Sequence, residues 1–354
     1  MSVLSKELRF RFLMDDREEM EETPLKIIEE NQSDPTYWKR VRYPEIFIEE
    51  KIRPWRLEYI EGQGYAAFAT RAFKAGDWIC TEFPVVWIHG HHPFNDTQIQ
   101  EIHEKVEELN EEDRTAFFAM ANMFPEYPPA VGIFMTNCFD MTDSIYGTTC
   151  AMYLALARLN HSCAPNVQQS HLPDTTEEVL FASRDIAIGD EINDCYIDLR
   201  ANRASRMKSL QEYYRFTCGC ISCSISDEKL LSLEDSQRER LSKFEDEIIT
   251  MIEDGDKIDY ALTYSLKLLS DLETPEMMKW SIRYLPEVYH MIYQIEKTLA
   301  DLSGLKKEKS KHMKSASKYL KKCCKLNILL QGDRSPDSRR TLMELKELME
   351  LENK

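Results

Sequence analysis

The chain has 354 residues, and at about 100–200 residues per domain this length predicts two or three domains. It carries 45 Lys and Arg against 62 Asp and Glu, a formal net charge of −17. This charge disfavours direct binding of nucleic acid, whose phosphates need a basic surface, and suits a cationic partner such as a lysine-rich polypeptide. With 43% hydrophobic residues, the chain has enough apolar material to form cores.

The sequence also bears on membranes and redox environment. No apolar run approaches the roughly 18 residues that a membrane-spanning helix needs, so we expect no membrane association. The start of the sequence is charged throughout and lacks the apolar core of a secretory signal, which predicts a cytoplasmic or nuclear location. In such a reducing compartment, the ten cysteines are expected to be free thiols or metal ligands rather than disulfides.

The amino-terminal half is predicted to hold an extension and a β domain. Residues 1–50 are rich in charge and are interpreted as a solvated acidic extension. From residue 51 onward, short apolar segments alternate with glycine turns, a pattern typical of a small and irregular β domain. The predicted strands cover residues 57–60, 65–70, 78–80, 85–88, 179–182 and 191–197.

After the first strands, the spacing of the apolar residues changes from that of strands to that of helices. Thr97 is a suitable cap for one helix and Asn110 for a second, and apolar residues recur at helical spacing behind both. We therefore expect a helical insert at about 97–136. Residues 152–159 fit either a helix or a buried strand, because a short apolar run does not separate the two.

The strand pattern stops after Cys223, and residues 226–354 predict an all-α domain of about five helices. Thr274 and Ser335 each precede a proline at the first position of a helix, so each is expected to cap one. A lysine-rich stretch at 306–325 keeps an apolar stripe. We interpret it as a helix with a solvated basic face rather than as a nucleic-acid site.

Three cysteines fall within six positions, at a spacing that can wrap one tetrahedral zinc ion: Cys218, Cys220 and Cys223. A structural zinc needs a fourth ligand, for which Cys163 is the best candidate. The alternative is a set of unrelated buried thiols, which rarely cluster so tightly in a reducing compartment. His161 and Cys163 could also form a nucleophile pair, but residues two apart on a strand rarely reach hydrogen-bonding distance.

Further motifs recur along residues 51–225. They are Gly62-Gln63-Gly64 with the turn Lys74-Ala75-Gly76-Asp77, then Asn160-His161-Ser162-Cys163, and Gly189-Asp190-Glu191-Ile192 just before Asp194-Cys195-Tyr196. With the cysteine tail, they resemble the SET-domain protein lysine methyltransferases, and most of all the SET-and-MYND (SMYD) branch. The resemblance implies an α+β fold: a SET-domain β-clip of short strands with a pseudoknot and the helical insert, a post-SET zinc segment at about 212–225, and a tetratricopeptide-like all-α domain.

The resemblance also implies where the cofactor, substrate and metal lie. Tyr196 would be the catalytic tyrosine, with its hydroxyl beside the methyl-transfer channel, and Asn160 and His161 would bind S-adenosylmethionine (SAM) through backbone and side-chain groups. The implied cofactor residues are Gly62, Gln63, Gly64, Tyr65, Asn137, Asn160, His161, Tyr196 and Phe216. The implied channel residues are Phe139, Tyr214 and Phe216, and the implied ligands of one structural zinc are Cys163, Cys218, Cys220 and Cys223.

The function implied is a protein-lysine N-methyltransferase that acts as a monomer on a histone or another protein. Residues 81–137 contain no cysteine, so the MYND zinc finger is expected to be missing. One alternative is a catalytically silent SET-fold module that binds partners through its helical domain. Another is a zinc-dependent hydrolase, which is disfavoured because a hydrolytic zinc keeps an open position and four cysteines would close this one.

Overall fold

The structure, a computed structural model, describes residues 54–61, 64–90, 93–143, 147–172, 177–253 and 257–352. The predicted extension at 1–50 therefore lies outside the described residues, as do Gly62 and Gln63. Short strands and three helices precede residue 195, and helices dominate from residue 203 onward. Within the described ranges, no helix is both long and apolar enough to cross a membrane.

The strands form four small sheets within the described part of the chain. Two of these sheets are a β1–β2 hairpin and a parallel β7–β10 pair, and the other two have the strand orders β3-β9-β8 and β4-β6-β5. The strands are β1 (Trp55–Ile60), β2 (Gly64–Ala69), β3 (Trp78–Glu82), β4 (Val86–His89), β5 (Phe139–Asp143), β6 (Gly147–Met152), β7 (Asn160–His161), β8 (Val167–Leu172), β9 (Glu177–Ala182) and β10 (Asn193–Asp194).

Two predictions in the β region were wrong. The strand expected at 191–197 is reduced to β10, because the backbone amide of Tyr196 donates to a side chain rather than to a neighbouring strand. Residues 152–159 are neither a helix nor a strand: β6 ends at Met152, and a 3₁₀ turn follows at Leu156–Arg158. That turn begins where the buried carboxylate of Glu82 accepts hydrogen bonds from the chain at 155 and 156.

The insert contains helices α1 (Asp96–Glu107), α2 (Glu111–Phe118) and α3 (Pro129–Asn137). Asn110 caps α2 as predicted, but α1 is capped by Asn95 and not by Thr97. The Asn95 side chain accepts from the amide of Gln98, and the Gln98 side chain accepts in return from the amide of Asn95, a reciprocal capping box. Helix α3 is buried on most sides and so lacks the polar face that marks a helix in a sequence.

The carboxy-terminal half contains α4 (Arg203–Tyr214), α5 (Glu228–Glu253), α6 (Ile258–Leu272), α7 (Pro275–Ser281), α8 (Leu285–Leu302), α9 (Lys306–Gln331) and α10 (Pro336–Glu352). Six of these follow residue 226 in the described chain, where about five were expected. The difference arises at a 3₁₀ turn, Ile282–Tyr284, which separates α7 from α8 just before a proline. The lysine-rich stretch is helix α9, as predicted, and the cap at Ser335 is also confirmed.

The β region and the helices pack against one another. Helix α9 lies against β8 and β9, and Arg334 forms an ion pair with Glu177 of β9 at 3.3 Å. Gly76 lies so close to this helix that an added Cβ would be 3.2 Å from the side chain of Leu329. A smaller apolar core surrounds the four cysteines and includes Tyr284 from the turn between α7 and α8. The candidate active site borders that core.

Candidate active site and metal centre

The parallel pair β7–β10 brings two of the sequence motifs side by side. Asn160 lies opposite Asn193, and His161 lies opposite Asp194. The pairing continues past β7, because the amide of Ser162 donates to the carbonyl of Asp194 at 2.7 Å. The segment that carries Tyr196 is therefore fixed beside the Asn160-His161 motif.

Tyr196 is held at three points. Its backbone amide donates to Nδ1 of His161 at 2.9 Å, and its hydroxyl donates to the carbonyl of Leu159 at 2.5 Å. Its own carbonyl accepts from the hydroxyl of Tyr214 at 3.2 Å. Burial, together with the charge of Asp194, raises the pKa of Tyr196 above its usual value. The hydroxyl is therefore protonated at neutral pH.

Aromatic rings surround Tyr196 and leave part of their surface accessible. The Tyr196 ring centroid lies 5.0 Å from that of Tyr214 and 5.4 Å from that of His161, and Phe216 is 6.2 Å from His161. Tyr196, Tyr214 and Phe216 are each half-buried. Partly exposed aromatic faces of this kind can receive a cationic group.

Phe139 does not join this ring cluster directly. Its ring packs edge-on against Tyr153 at 5.5 Å, at the border of the β-region core. Burial, followed by the neighbouring Cys138 and Asp140, raises the pKa of Tyr214. These two residues flank Phe139 in the sequence.

The glycine turn between β1 and β2 is described only in part. Gly64 has a φ of +85°, and nothing lies within 4 Å of the position its Cβ would take, so it faces open space. Tyr65 is 54% exposed and packs edge-on against Tyr59 at 5.5 Å. Both residues therefore border an accessible surface, and their contact with a cofactor stays a prediction.

The two asparagines assigned to the cofactor have their amide nitrogens engaged within the protein. Nδ2 of Asn160 donates to a carboxylate oxygen of Glu191 at 3.0 Å. Nδ2 of Asn137, at the end of α3, donates to the carbonyls of Ala121 and Ile133. Each side chain keeps its Oδ1 as the acceptor that a ligand could use.

The ring of His161 has no nitrogen left for a ligand. Nδ1 accepts from Tyr196, and Nε2 lies 3.3 Å from Sγ of Cys163. We expected these residues to be out of reach, but the chain leaves the strand after His161 and turns Cys163 back toward the ring. With Nδ1 as an acceptor, Nε2 carries the proton and donates to sulfur. The ring therefore cannot accept a proton from Cys163, which argues against a nucleophile pair.

The structure brings the four predicted cysteines together. The Sγ atoms of Cys163, Cys218, Cys220 and Cys223 all lie within 4.8 Å of one another, and only Cys220 is half-exposed. Hydrogen bonds with the neighbouring thiols raise the pKa of Cys163 and lower that of Cys218. In the described residues this is the one group of its kind with metal-ligand geometry.

Two fully buried arginines lie beside the cysteine cluster. Nε and Nη2 of Arg206 are buried without a hydrogen-bond acceptor, and its guanidinium faces Cys163. Arg238 donates to the backbone carbonyl of Cys163 at 3.0 Å. Four thiolates around one divalent ion carry a net double negative charge, and the two guanidinium groups, which also face the buried carboxylate of Glu234, offset part of it. The site therefore fits a tetrahedral zinc ion held by four cysteines.

Arg238 ties helix α5 to the cysteine segment. It donates to Ser222 and to the carbonyl of Leu199, forms an ion pair with Glu234 at 2.8 Å, and lies over the ring of Trp280 at 4.0 Å. Glu234 is itself buried and accepts from Ser222. The sequence carried no signal for this network, because Glu234 and Arg238 look like ordinary polar residues of an amphipathic helix.

Comparison with known proteins identifies the β region. Residues 64–197 match the SET domain family. The chain therefore contains a SET domain, which is consistent with its short strands and with the pairing of β7 and β10.

Several similar proteins are named lysine methyltransferases. The chain is 28% identical over 192 residues to the histone-lysine N-methyltransferase set5 of Schizosaccharomyces pombe, covering 54% of this chain and 57% of that protein. It is 31% identical over 109 residues to SMYD3 of Homo sapiens, covering 29% and 25% of the two chains. It is also 28% identical over 191 residues to the N-lysine methyltransferase SMYD2-B of Danio rerio, covering 50% and 43%.

The aligned regions thus span from a quarter to just over half the length of these relatives. The similarity to the SMYD branch is confirmed, whereas the expected loss of the MYND finger stays a prediction. The boundaries of the three regions drawn from the sequence, 1–50, 51–225 and 226–354, also stay predictions.

Proposed function

We propose that this protein is a SAM-dependent protein-lysine N-methyltransferase. The observation that carries the proposal is Tyr196, a protonated tyrosine held at three points inside a half-open aromatic cluster. It belongs to a SET domain whose relatives are named lysine methyltransferases. A neutral, oriented hydroxyl can position an amine for methyl transfer, and aromatic faces can contact the positively charged methyl donor.

SAM, when bound, supplies an activated methyl group on a sulfonium centre. The residues that would hold it are Gly64, where the backbone is open to a ligand, the Oδ1 atoms of Asn137 and Asn160, and the backbone at His161. The ring of Phe216 would cover the cofactor from the post-SET side. The exposed faces of the aromatic cluster suit a positively charged sulfonium.

Tyr196 would orient the substrate amine rather than remove its proton. Its O–H bond is directed at the carbonyl of Leu159, so the lone pairs of the hydroxyl oxygen are left to accept from the amine. The hydroxyl is also too weak an acid, with its raised pKa, to act through a phenolate. The lysine, whose free pKa is about 10.4, would release its proton to solvent water as it enters among the aromatic rings, because loss of hydration disfavours the charged form.

The cysteine cluster would hold one structural zinc ion, since four sulfur ligands leave no open position for catalysis. The net charge of −17 supports a lysine-bearing, cationic protein as substrate, either a histone or another protein. We further propose that the protein acts as a monomer in the cytoplasm or nucleus.

Thermal unfolding with and without S-adenosylhomocysteine tests the cofactor assignment. A ligand at 100 times its Kd stabilises the folded state by about 2.7 kcal/mol. At roughly 2–4 °C per kcal/mol, the melting temperature should rise by about 5–10 °C. An unchanged melting temperature at millimolar ligand would refute the methyltransferase proposal and favour the alternative, a catalytically silent SET-fold interaction module. Adenosine, which lacks the amino-acid part, is the matched control ligand.

A further inference from the structure

We propose that Arg283 and Tyr284, in the turn between α7 and α8, are positioning residues for Tyr196. The inference rests on the proposed function and deepens it. Both residues belong to the helical region, yet their side chains contact the segment 195–199, which carries Tyr196 beyond the end of β10. The helical region would then help to position the catalytic tyrosine.

Tyr284 makes the more extensive of these contacts. Its hydroxyl accepts from the backbone amide of Leu199 at 3.1 Å and donates to a carboxylate oxygen of Asp198 at 3.2 Å. The guanidinium of Arg200 lies 5.3 Å from the centre of its ring. A single phenol thus holds the backbone three residues beyond Tyr196 and fixes the side chains on both sides of that point.

Arg283 acts on the residue just before Tyr196. Its guanidinium donates to Sγ of Cys195 and interacts electrostatically with the buried side chain of Asp194. Asp194 is the second residue of β10, so Arg283 reaches the point where the chain leaves the strand. Together, Arg283 and Tyr284 fix the chain immediately before and after Tyr196.

The turn itself is rigidly anchored. Trp280, one turn earlier, is 1% exposed, lies under Arg238 and packs edge-on against the ring of Tyr284 at 6.4 Å. The next helix begins at Leu285, which is fully buried in the helical core. A shift of Arg283 or Tyr284 would therefore require that core to move.

On the opposite side, the SET domain and the post-SET segment hold Tyr196. Its amide and hydroxyl bond to residues before and within β7, and its carbonyl to Tyr214. These contacts fix the ring, but the chain that follows, at 197–202, pairs with no strand of the described residues. A misplacement of about 1 Å at a reacting centre can cost on the order of 100-fold in rate. The contacts from the helical region would prevent such a shift.

Tyr284→Phe is the most selective test, because it removes both hydrogen bonds and keeps the ring. Tyr289→Phe is the matched control: its hydroxyl donates to Glu273 at 2.5 Å, entirely within the helical region. Backbone hydrogen exchange measured by mass spectrometry reports directly on residues 195–199. We expect exchange in peptides covering this segment to accelerate at least 10-fold in Tyr284→Phe and to stay unchanged in Tyr289→Phe.

Kinetics with SAM and a lysine-bearing protein give the second readout. Tyr284→Phe should lower kcat about 10-fold, with KM for SAM and the binding stoichiometry of S-adenosylhomocysteine unchanged, because the pocket is intact and the tyrosine is misplaced. Arg283→Met should act similarly, and Arg283→Lys, which keeps a cation beside Asp194, should recover part of the loss. A merely structural defect would instead lower the stoichiometry and leave kcat per bound site unchanged.

The outcomes separate this inference from the proposed function. Unchanged exchange at 195–199 in Tyr284→Phe overturns the positioning role, whatever the activity. Accelerated exchange with unchanged kcat also overturns it, because the contact would then not serve the reaction. Accelerated exchange in a protein whose native form transfers no methyl group supports the contact and refutes the methyltransferase.

Discussion

Replacing Arg238 by methionine should strongly destabilise the protein, because it leaves a buried carboxylate without its nearest cation. The guanidinium is fully buried and lies 2.8 Å from the buried carboxylate of Glu234. Removing one partner of a buried ion pair costs about 3–5 kcal/mol, because the remaining charge has lost both water and its counterion. Arg206 stands 3.8 Å from the same carboxylate and compensates in part, so we expect a loss at the lower end, about 3 kcal/mol.

The assay is urea unfolding in the presence of zinc, supported by melting temperatures. At roughly 2–4 °C per kcal/mol, Arg238→Met should lower the melting temperature by about 6–12 °C. The double variant Arg238→Met/Glu234→Gln removes the stranded charge as well. It should recover at least about 1.5 kcal/mol relative to the sum of the two single changes.

Two results would contradict this expectation. If Arg238→Met changes the free energy of unfolding by less than about 1 kcal/mol, the two side chains do not form a buried ion pair. If the double variant is as unstable as the sum of the single variants, the loss comes from packing against Trp280 and not from an unpaired charge.

Three further changes follow from the same physical chemistry. Cys220→Ser should lower bound zinc, measured by plasma mass spectrometry, from one ion per chain to well below half an ion per chain. The control is Cys324→Ser, which lies outside the cluster and should keep the ion. Equal loss of zinc in both variants would contradict the assignment. Burial raises the pKa of Glu178, so its ionisation costs stability as pH rises from its unfolded pKa, roughly 4.3, through the raised value. Glu178→Gln should therefore melt higher than the native protein at pH 8 and lose that advantage toward pH 5, and a pH-independent difference would speak against it. Asn95→Ala should cost about 1 kcal/mol in urea unfolding, since it removes the cap of α1, and an unchanged midpoint would refute the capping box.

The cysteine cluster shows what spacing can reveal. Three cysteines within six positions lie close together in space in almost any local conformation, so the clustering of the thiols at 218–223 follows from their spacing alone. The pairing of Cys163 with them came from the family resemblance and from the need for a fourth ligand. The structure brings all four together.

Other features depend on contacts between distant parts of the chain, which no local pattern encodes. The contact between His161 and Cys163 was predicted to be out of reach on the premise of a continuing strand, whereas the strand ends at His161. The strand expected at 191–197 failed for a related reason, since Tyr196 bonds to a side chain instead of a ladder. Arg238 and Tyr284 gave no signal either, because each acts across the boundary between the helices and the SET domain.

Methyl transfer to lysine is the decisive measurement for the proposed function. The purified chain is incubated with SAM carrying a deuterated methyl group and with core histones or a lysine-rich cell extract, and modified peptides are located by tandem mass spectrometry. We predict labelled methyl groups on lysine side chains, and a loss of about 10- to 100-fold in Tyr196→Phe that leaves the thermal shift with S-adenosylhomocysteine intact. Binding of S-adenosylhomocysteine without any labelled lysine, or equal labelling by Tyr196→Phe, would show that this SET domain does not work through Tyr196 as a lysine methyltransferase.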